Sequence, residues 1–89
     1  MRIDYSKRFI KHFKKIPVKI KKVFRDKVVF FRSDKNDESL QKHFLKGEWE
    51  GFLSINVTGD WRAIYHELGD GSIEWVEFVE IGTHSQLYK

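Results

Sequence analysis

Histidine, tyrosine and arginine side chains are the groups in this 89-residue chain that could do chemistry. The chain has four His and three Tyr but no Cys, which excludes a disulfide framework, a thiolate metal site and a thiol nucleophile. The histidines do not have the spacing of a known metal motif, and the sequence contains neither a glycine-rich phosphate loop nor a serine nucleophile elbow. The sequence therefore indicates proton transfer without a metal or other cofactor.

Proton transfer alone can cleave a substrate that carries its own nucleophile, and RNA is such a substrate. Its 2′-hydroxyl can attack the adjacent phosphate if a base removes the proton and an acid protonates the leaving 5′-oxygen. Nearby cations would stabilise the charge that develops around phosphorus. Metal-independent cleavage of RNA is thus within the chemical range of these residues.

The charge of the chain is divided unequally along its length. Ten of the 17 Lys and Arg residues lie between Lys7 and Lys27. Residues 1–32 contain twelve basic and two acidic residues, a net charge of +10, whereas residues 33–89 contain five and eleven, a net charge of −6. Clustered positive charge favours binding to a polyanion or to an acidic protein, although it is also typical of a solvated helix face.

Length and composition set the class of protein. With 89 residues, of which 40% are hydrophobic and 16% aromatic, we expect one domain over residues 1–89 with a real core. No stretch approaches the ~18 consecutive apolar residues of a membrane span. The amino terminus lacks the apolar core of a signal peptide. We therefore expect a cytoplasmic protein that does not enter the membrane.

The spacing of apolar residues in the first half predicts two helices. Residues 2–5 form a short predicted strand, and Ser6 is suited to cap the helix that follows. Apolar residues then recur at helical spacing as far as Ile16, and again, beyond Pro17, as far as Phe31. The pattern predicts an antiparallel helical hairpin whose outer surface is basic.

The second half has the period of two that is typical of strands. Apolar and polar residues alternate over 53–57, and further strands are predicted over 61–67 and 73–81, separated by short glycine-containing turns. Short links imply an antiparallel meander. The predicted fold is α+β, with an antiparallel sheet, made of the N-terminal strand and the three-stranded C-terminal meander, covered by the helical hairpin.

Three blocks of sequence resemble the RelE superfamily of toxin–antitoxin ribonucleases, and within it the YafQ-like branch. They are HFLKGEWEGF at 43–52, GDWRAIY at 59–65 and IGTHSQLY at 81–88. These blocks lie within residues 43–88, about half of the chain, and the helical part agrees with the family in pattern only. The resemblance implies a compact sheet flanked by helices, cleavage of mRNA in the ribosomal A site and neutralisation by a cognate antitoxin.

The resemblance also implies roles for individual residues. His84 matches the family's catalytic histidine, and His43 matches the histidine before the Leu-x-Gly turn. Asp60 matches the acidic residue before Trp, where it would orient a histidine or the 2′-hydroxyl. Arg62 matches an arginine that faces the scissile phosphate, and Tyr88 matches an aromatic residue that holds the substrate. His84 and His43 would divide the acid and base work.

The chain departs from its apparent relatives at two positions. Asn56 replaces a third active-site histidine; it can hydrogen-bond the substrate but cannot shuttle a proton near neutrality. Glu80 replaces an arginine and would repel the phosphate unless it points away or pairs with Arg62. The site's cation would then come from Arg62 or Lys46. The residues predicted to grip ribosomal RNA are the helical Lys14, Lys15, Lys21 and Lys22.

Each of these residues also has a structural interpretation, and other functions remain open. His84 and His43 could cap the ends of elements, and Asp60 could simply shape its turn. His12 and His66 are expected to be structural or solvated. A catalytically inactive member that binds a protein target, as gyrase-poisoning ParE toxins do, and a simple RNA-binding module are the alternative functions.

Overall fold

The computed structural model describes residues 1–88 and contains one five-stranded sheet, three α-helices and two short 3₁₀ helices (Glu38–Leu40 and Gly47–Trp49). Lys89, the last residue of the predicted domain, lies outside the described residues. The strand order is β1-β5-β4-β3-β2. The elements in chain order are β1 (Arg2–Tyr5), α1 (Lys7–Phe13), α2 (Val18–Ser33), β2 (His43–Phe44), β3 (Leu53–Asn56), β4 (Trp61–Leu68), β5 (Trp75–Thr83) and α3 (His84–Leu87).

The predicted helical hairpin is confirmed. The Ser6 side chain accepts a hydrogen bond from the backbone N–H of Phe9 at 3.0 Å and so caps α1. Pro17 is the N-cap of α2, where its missing N–H costs nothing. The two helices pack through aromatic rings, with the Phe24 ring 5.4 Å from that of Phe9 and 5.5 Å from that of Phe13.

The sheet confirms the meander and corrects the prediction at both of its edges. Strands β3, β4 and β5 are antiparallel, as their short links require. The prediction of a wholly antiparallel sheet is wrong, because β1 pairs in parallel with β5. No tight turn joins these two strands, so nothing local imposes their relative direction. The sequence prediction also missed β2, a two-residue strand antiparallel to β3 that is too short to show a period.

One face of the sheet forms the core with the helices. Leu53, Ile55, Ala63 and Tyr65 point to this face and are almost completely buried. The Phe31 ring of α2 covers them and lies 5.0 Å from the Tyr65 ring. Burial raises the pKa of the Tyr65 phenol, because the phenolate would lose its hydration.

A β-bulge in β5 changes which side chains reach the other face. Tyr65 pairs with Phe78, but the preceding residue, Ile64, pairs with Glu80, so Val79 is the extra residue. In a regular strand Glu80 would share the core face with Phe78. The bulge instead turns Glu80 to the opposite face. We call this opposite face the site face.

None of the helices in residues 1–88 is long and apolar enough to cross a membrane.

Candidate active site

The strand register places three of the predicted site residues on the site face. His43 pairs with Ser54, and Asn56 pairs with Arg62. Paired residues point to the same side of a sheet, and so do residues two apart on one strand. His43, Asn56 and Arg62 therefore share one face although they come from three strands.

The short helix α3 adds His84, its first residue, and Tyr88, its C-cap. The Thr83 hydroxyl accepts from the N–H of Gln86, and the Gln86 side chain accepts from the N–H of Thr83, so the two residues form a reciprocal capping box. The backbone N–H of His84 donates to the carbonyl oxygen of Asp60 at 2.9 Å. The His84 and Tyr88 rings meet edge to face with centroids 4.8 Å apart. These contacts fix where α3 begins and how it lies against the β3–β4 turn.

These elements enclose a cavity of about 310 Å³, which we call the central cavity. Five predicted site residues contribute to its lining: His43, Lys46, Arg62, His84 and Tyr88. They come from β2, the segment after it, β4 and the C-terminal segment. Phe44, Leu45 and Ser54 complete the lining. Two imidazoles, two cations and a phenol thus converge on one space that is large enough for part of a nucleotide.

Arg62 is held in place by the β3–β4 turn. Its Nη1 donates to the carbonyl oxygens of Thr58 and Gly59, each at 3.0 Å. Within residues 1–88 the guanidinium forms no ion pair with a carboxylate, which leaves its charge available to an anion in the central cavity. The predicted alternative in which Arg62 pairs with Glu80 is therefore wrong.

Two predicted site residues do not line the central cavity. Asp60 is exposed in the turn, and its contact with the site is the backbone bond to His84. Asn56 donates from its side-chain amide to Gln41, while its Oδ1 is buried without a partner among the described residues. The Tyr88 hydroxyl is also buried and unpartnered there. Buried polar atoms without partners are rare, so both atoms have hydrogen-bonding capacity to spare.

Glu80 lies on the site face but is only 3% exposed. Its Oε2 is 2.7 Å from Nε of Arg8, and its Oε1 is 2.5 Å from Nδ1 of His12. The backbone N–H of Ile81 also donates to Oε1 at 3.0 Å. The carboxylate is thus bound to α1 and is not free to confront a phosphate. Sequence reasoning missed Arg8 and left His12 as structural or solvated; the signal was their i, i+4 spacing on one helix face.

The four predicted RNA-binding lysines lie around the junction of α1 and α2. Lys14, Lys15 and Lys22 are exposed. Lys21 is partly covered, and its Nζ donates to the carbonyl oxygen of Lys14 at 3.1 Å. Lys15 lines a cavity with Arg8 and Glu80, whereas Lys14 faces an apolar groove between the helices.

The position of Asp60 leads to a prediction that separates its backbone from its side chain. Asp60→Asn keeps the carbonyl that binds His84, so we expect the RNA cleavage predicted from the sequence to stay within about threefold of the wild-type rate. Loss of a group that takes part in proton transfer would instead cost about 10²-fold or more. Single-turnover cleavage of an RNA substrate measures the difference. A loss of that size would show that the Asp60 carboxylate takes part in the reaction.

The chain is similar to known proteins in sequence and in fold. Residues 1–89 match the sequence model of a family described as the bacterial toxin of the type II toxin–antitoxin system, YafQ. A Haemophilus influenzae protein that carries the YafQ name is 33% identical over 49 residues, which are 55% of this chain. The chain spans about half (48%) of that relative's length.

Solved structures agree in fold. YafQ from E. coli strain BL21(DE3) is 24% identical, superposes with a TM-score of 0.78 and is covered in full, as is this chain. YafQ in the E. coli DinJ-YafQ toxin-antitoxin complex is also 24% identical, with a TM-score of 0.65 over 98% of this chain and 96% of that one. At this identity the structures show the shared fold alone. The match of the family model to the whole sequence shows that the chain belongs to the YafQ family of type II toxin–antitoxin toxins.

Proposed function

We propose that this toxin is a metal-independent endoribonuclease that cleaves mRNA, in the ribosomal A site, and thereby stops translation in the cytoplasm. The observation that carries the proposal is the convergence of His43, Arg62 and His84 on the central cavity. Two imidazoles can exchange protons near neutrality, and the cation supplies charge stabilisation. This is the set of groups that RNA transesterification needs.

The proposed reaction has one step of bond exchange. One histidine of the pair His43 and His84 removes the 2′-hydroxyl proton, and the 2′-oxygen attacks phosphorus. The other histidine gives a proton to the departing 5′-oxygen, and Arg62 stabilises the added negative charge. The products are a 2′,3′-cyclic phosphate and a 5′-hydroxyl, and no metal takes part.

The remaining groups would hold the substrate. Lys46 lies in the lining of the central cavity beside Tyr88, whose ring can stack on a base and whose hydroxyl has no partner within residues 1–88. The predicted contact of Asn56 with the substrate is not part of this proposal, because its Oδ1, unpartnered among the described residues, is buried and Asn56 does not line the central cavity. In this proposal Asp60 acts through its carbonyl, which positions the start of α3 and hence His84.

A cognate antitoxin is the proposed protein partner. The chain belongs to a family of type II toxins, and its fold matches YafQ from the E. coli DinJ-YafQ toxin-antitoxin complex. The net charge of +10 in residues 1–32 suits an acidic partner.

Primer extension on a reporter mRNA after induction of the toxin tests the proposal. We expect new 5′ ends within codons of the translated region when the wild-type chain is induced, and none with His84→Ala. Growth arrest with an intact reporter would favour a protein target, as in the ParE-like alternative. Binding of RNA without arrest or cleavage would leave a simple RNA-binding module.

The basic hairpin gives a second, independent prediction. Replacing Lys14, Lys15, Lys21 and Lys22 with Glu should weaken ribosome binding and flatten its salt dependence, because fewer counterions are released. Each lost phosphate contact lowers the slope of log K against log salt by about 0.7 to 0.9. Sedimentation with ribosomes at two salt concentrations measures both effects. Unchanged affinity at both salt concentrations would show that these lysines only form a solvated face of the helices.

A further inference from the structure

A cleft continues from the central cavity along the C-terminal segment to α1. A second cavity, of about 560 Å³, shares Lys46 and Tyr88 with the central cavity. A third, of about 390 Å³, shares Arg8 and Glu80 with the second. A polymeric substrate bound at the central cavity would have space to continue through the other two.

Glu80 holds two side chains of α1 inside this cleft, Arg8 and His12, and Arg8 carries the guanidinium. Its guanidinium contacts Glu80 through Nε at 2.7 Å, and its Cζ lies 5.8 Å from the centre of the Trp49 ring. Trp49 is held in turn by a 3.3 Å hydrogen bond from its Nε1 to the carbonyl oxygen of Leu87. Glu80 is buried, whereas the Arg8 side chain is 63% exposed. One edge of the guanidinium is therefore anchored while the other is open to the cleft.

The charges along the cleft favour an anion in spite of Glu80. Cations outnumber carboxylates among the lining residues of the three cavities by four to two: Arg8, Lys15, Lys46 and Arg62 against Glu48 and Glu80. Arg has five N–H donors in a rigid fork, so an ion pair through Nε leaves donors for a second acceptor. An arginine positioned beforehand binds phosphate with little further loss of side-chain entropy.

We propose that Arg8, anchored on Glu80 and Trp49, binds a phosphate of the RNA strand that flanks the scissile phosphate. The inference rests on the proposed function, since it takes single-stranded RNA as the substrate. It places the scissile phosphate in the central cavity and a neighbouring phosphate beside Arg8 in the second cavity. Glu80 then has a role other than repulsion, because it holds Arg8 in the cleft.

The test measures binding of an uncleavable RNA to the purified full chain. The probe is a short single-stranded RNA with a 2′-deoxy sugar at the cleavage position, and its affinity is read by fluorescence anisotropy. Arg8→Gln should bind about tenfold more weakly, as expected for the loss of one charge-assisted contact. The slope of log K against log salt should fall by about 0.7. The matched control is Lys11→Gln, which removes the same charge from an exposed position on α1 outside the cleft, and it should keep both values.

A series of neutral methylphosphonate linkages locates the contact. The wild-type chain should bind about tenfold more weakly to the RNA in which one particular flanking linkage is neutral. Arg8→Gln should bind that RNA no more weakly than the wild-type chain does. Arg8→Lys, which keeps the charge but loses the fork, should show a partial loss and carries the test if Arg8→Gln does not fold. Three outcomes would overturn the proposal. The losses of affinity from Arg8→Gln and from the neutral linkage could add at every flanking linkage, or they could fail to add at the scissile linkage instead. Both Arg8 variants could also keep the wild-type affinity.

The same measurements separate this inference from the function on which it rests. Arg8-dependent binding of the uncleavable RNA by a chain that does not cut the cleavable RNA would sustain the phosphate contact and refute the nuclease. If wild type and Arg8→Gln cleave RNA equally fast and bind the uncleavable RNA with equal affinity, the nuclease would be supported and the phosphate contact refuted. A wild-type chain that does not bind the probe at all would overturn the phosphate contact.

Discussion

His84→Ala is expected to abolish growth arrest while leaving the fold and antitoxin binding intact. His84 lines the central cavity with His43 and Arg62, and its side chain is exposed, so its removal leaves no hole in the core. General acid or base catalysis contributes ~10²- to 10⁴-fold, which is enough to turn a toxin into a tolerated protein. Growth after induction, together with single-turnover cleavage of RNA, measures the effect.

The control for His84→Ala is a second histidine outside the central cavity. His66 stacks on Phe52 and pairs with Glu77 at 2.8 Å, so His66→Ala should keep its activity in any chain that folds. Circular dichroism and copurification with the antitoxin verify the fold of both variants. Undiminished cleavage by a folded His84→Ala would remove His84 from the mechanism.

Glu80→Arg is expected to unfold the site, and not to make cleavage faster. Read from the sequence alone, an arginine at this position would add a favourable contact to the phosphate. The structure reverses that expectation, because the carboxylate is buried between Arg8 and His12. An arginine there would be buried and repelled by the Arg8 guanidinium, at a cost of about 3 kcal/mol or more in the free energy of unfolding.

Two further variants locate the source of that loss. Glu80→Gln keeps the shape but loses the charge, and should lower the free energy of unfolding by about 1–3 kcal/mol. The matched control is Glu77→Gln, because Glu77 is a half-buried carboxylate of the same strand and pairs with His66. This substitution should lower the free energy of unfolding by about 1 kcal/mol or less. Urea unfolding measures all three. Unchanged stability with faster cleavage in Glu80→Gln would mean that Glu80 opposes the phosphate after all.

Local patterns in the sequence were sufficient to predict most of the fold. Apolar spacing predicted α1 and α2, and alternation with short turns predicted β3, β4 and β5. The parallel pairing of β1 with β5 could not be predicted in this way, because residues 2–5 meet residues 75–78 across most of the chain. Strand β2 has two residues, which is too short for any periodic signal.

The site was predictable where sequence blocks carried it and not where tertiary contacts did. His43, Arg62 and His84 were identified from the resemblance, and the structure brings them to one cavity. The orientation of Glu80 was not predictable, because the bulge at Val79 decides which way it faces and an alternating pattern does not reveal a bulge. Its partner Arg8 is 72 residues away, so their pairing depends on how α1 lies against β5.

We propose that this toxin cuts mRNA on the ribosome by metal-free transesterification. The direct measurement adds the purified chain to ribosomes stalled on a defined mRNA, in the presence of a Zn²⁺ chelator, and analyses both ends of the products. We expect a cut within the A-site codon that leaves a 2′,3′-cyclic phosphate and a 5′-hydroxyl, and that disappears with His84→Ala. Intact mRNA, or products with a 5′-phosphate, would contradict it.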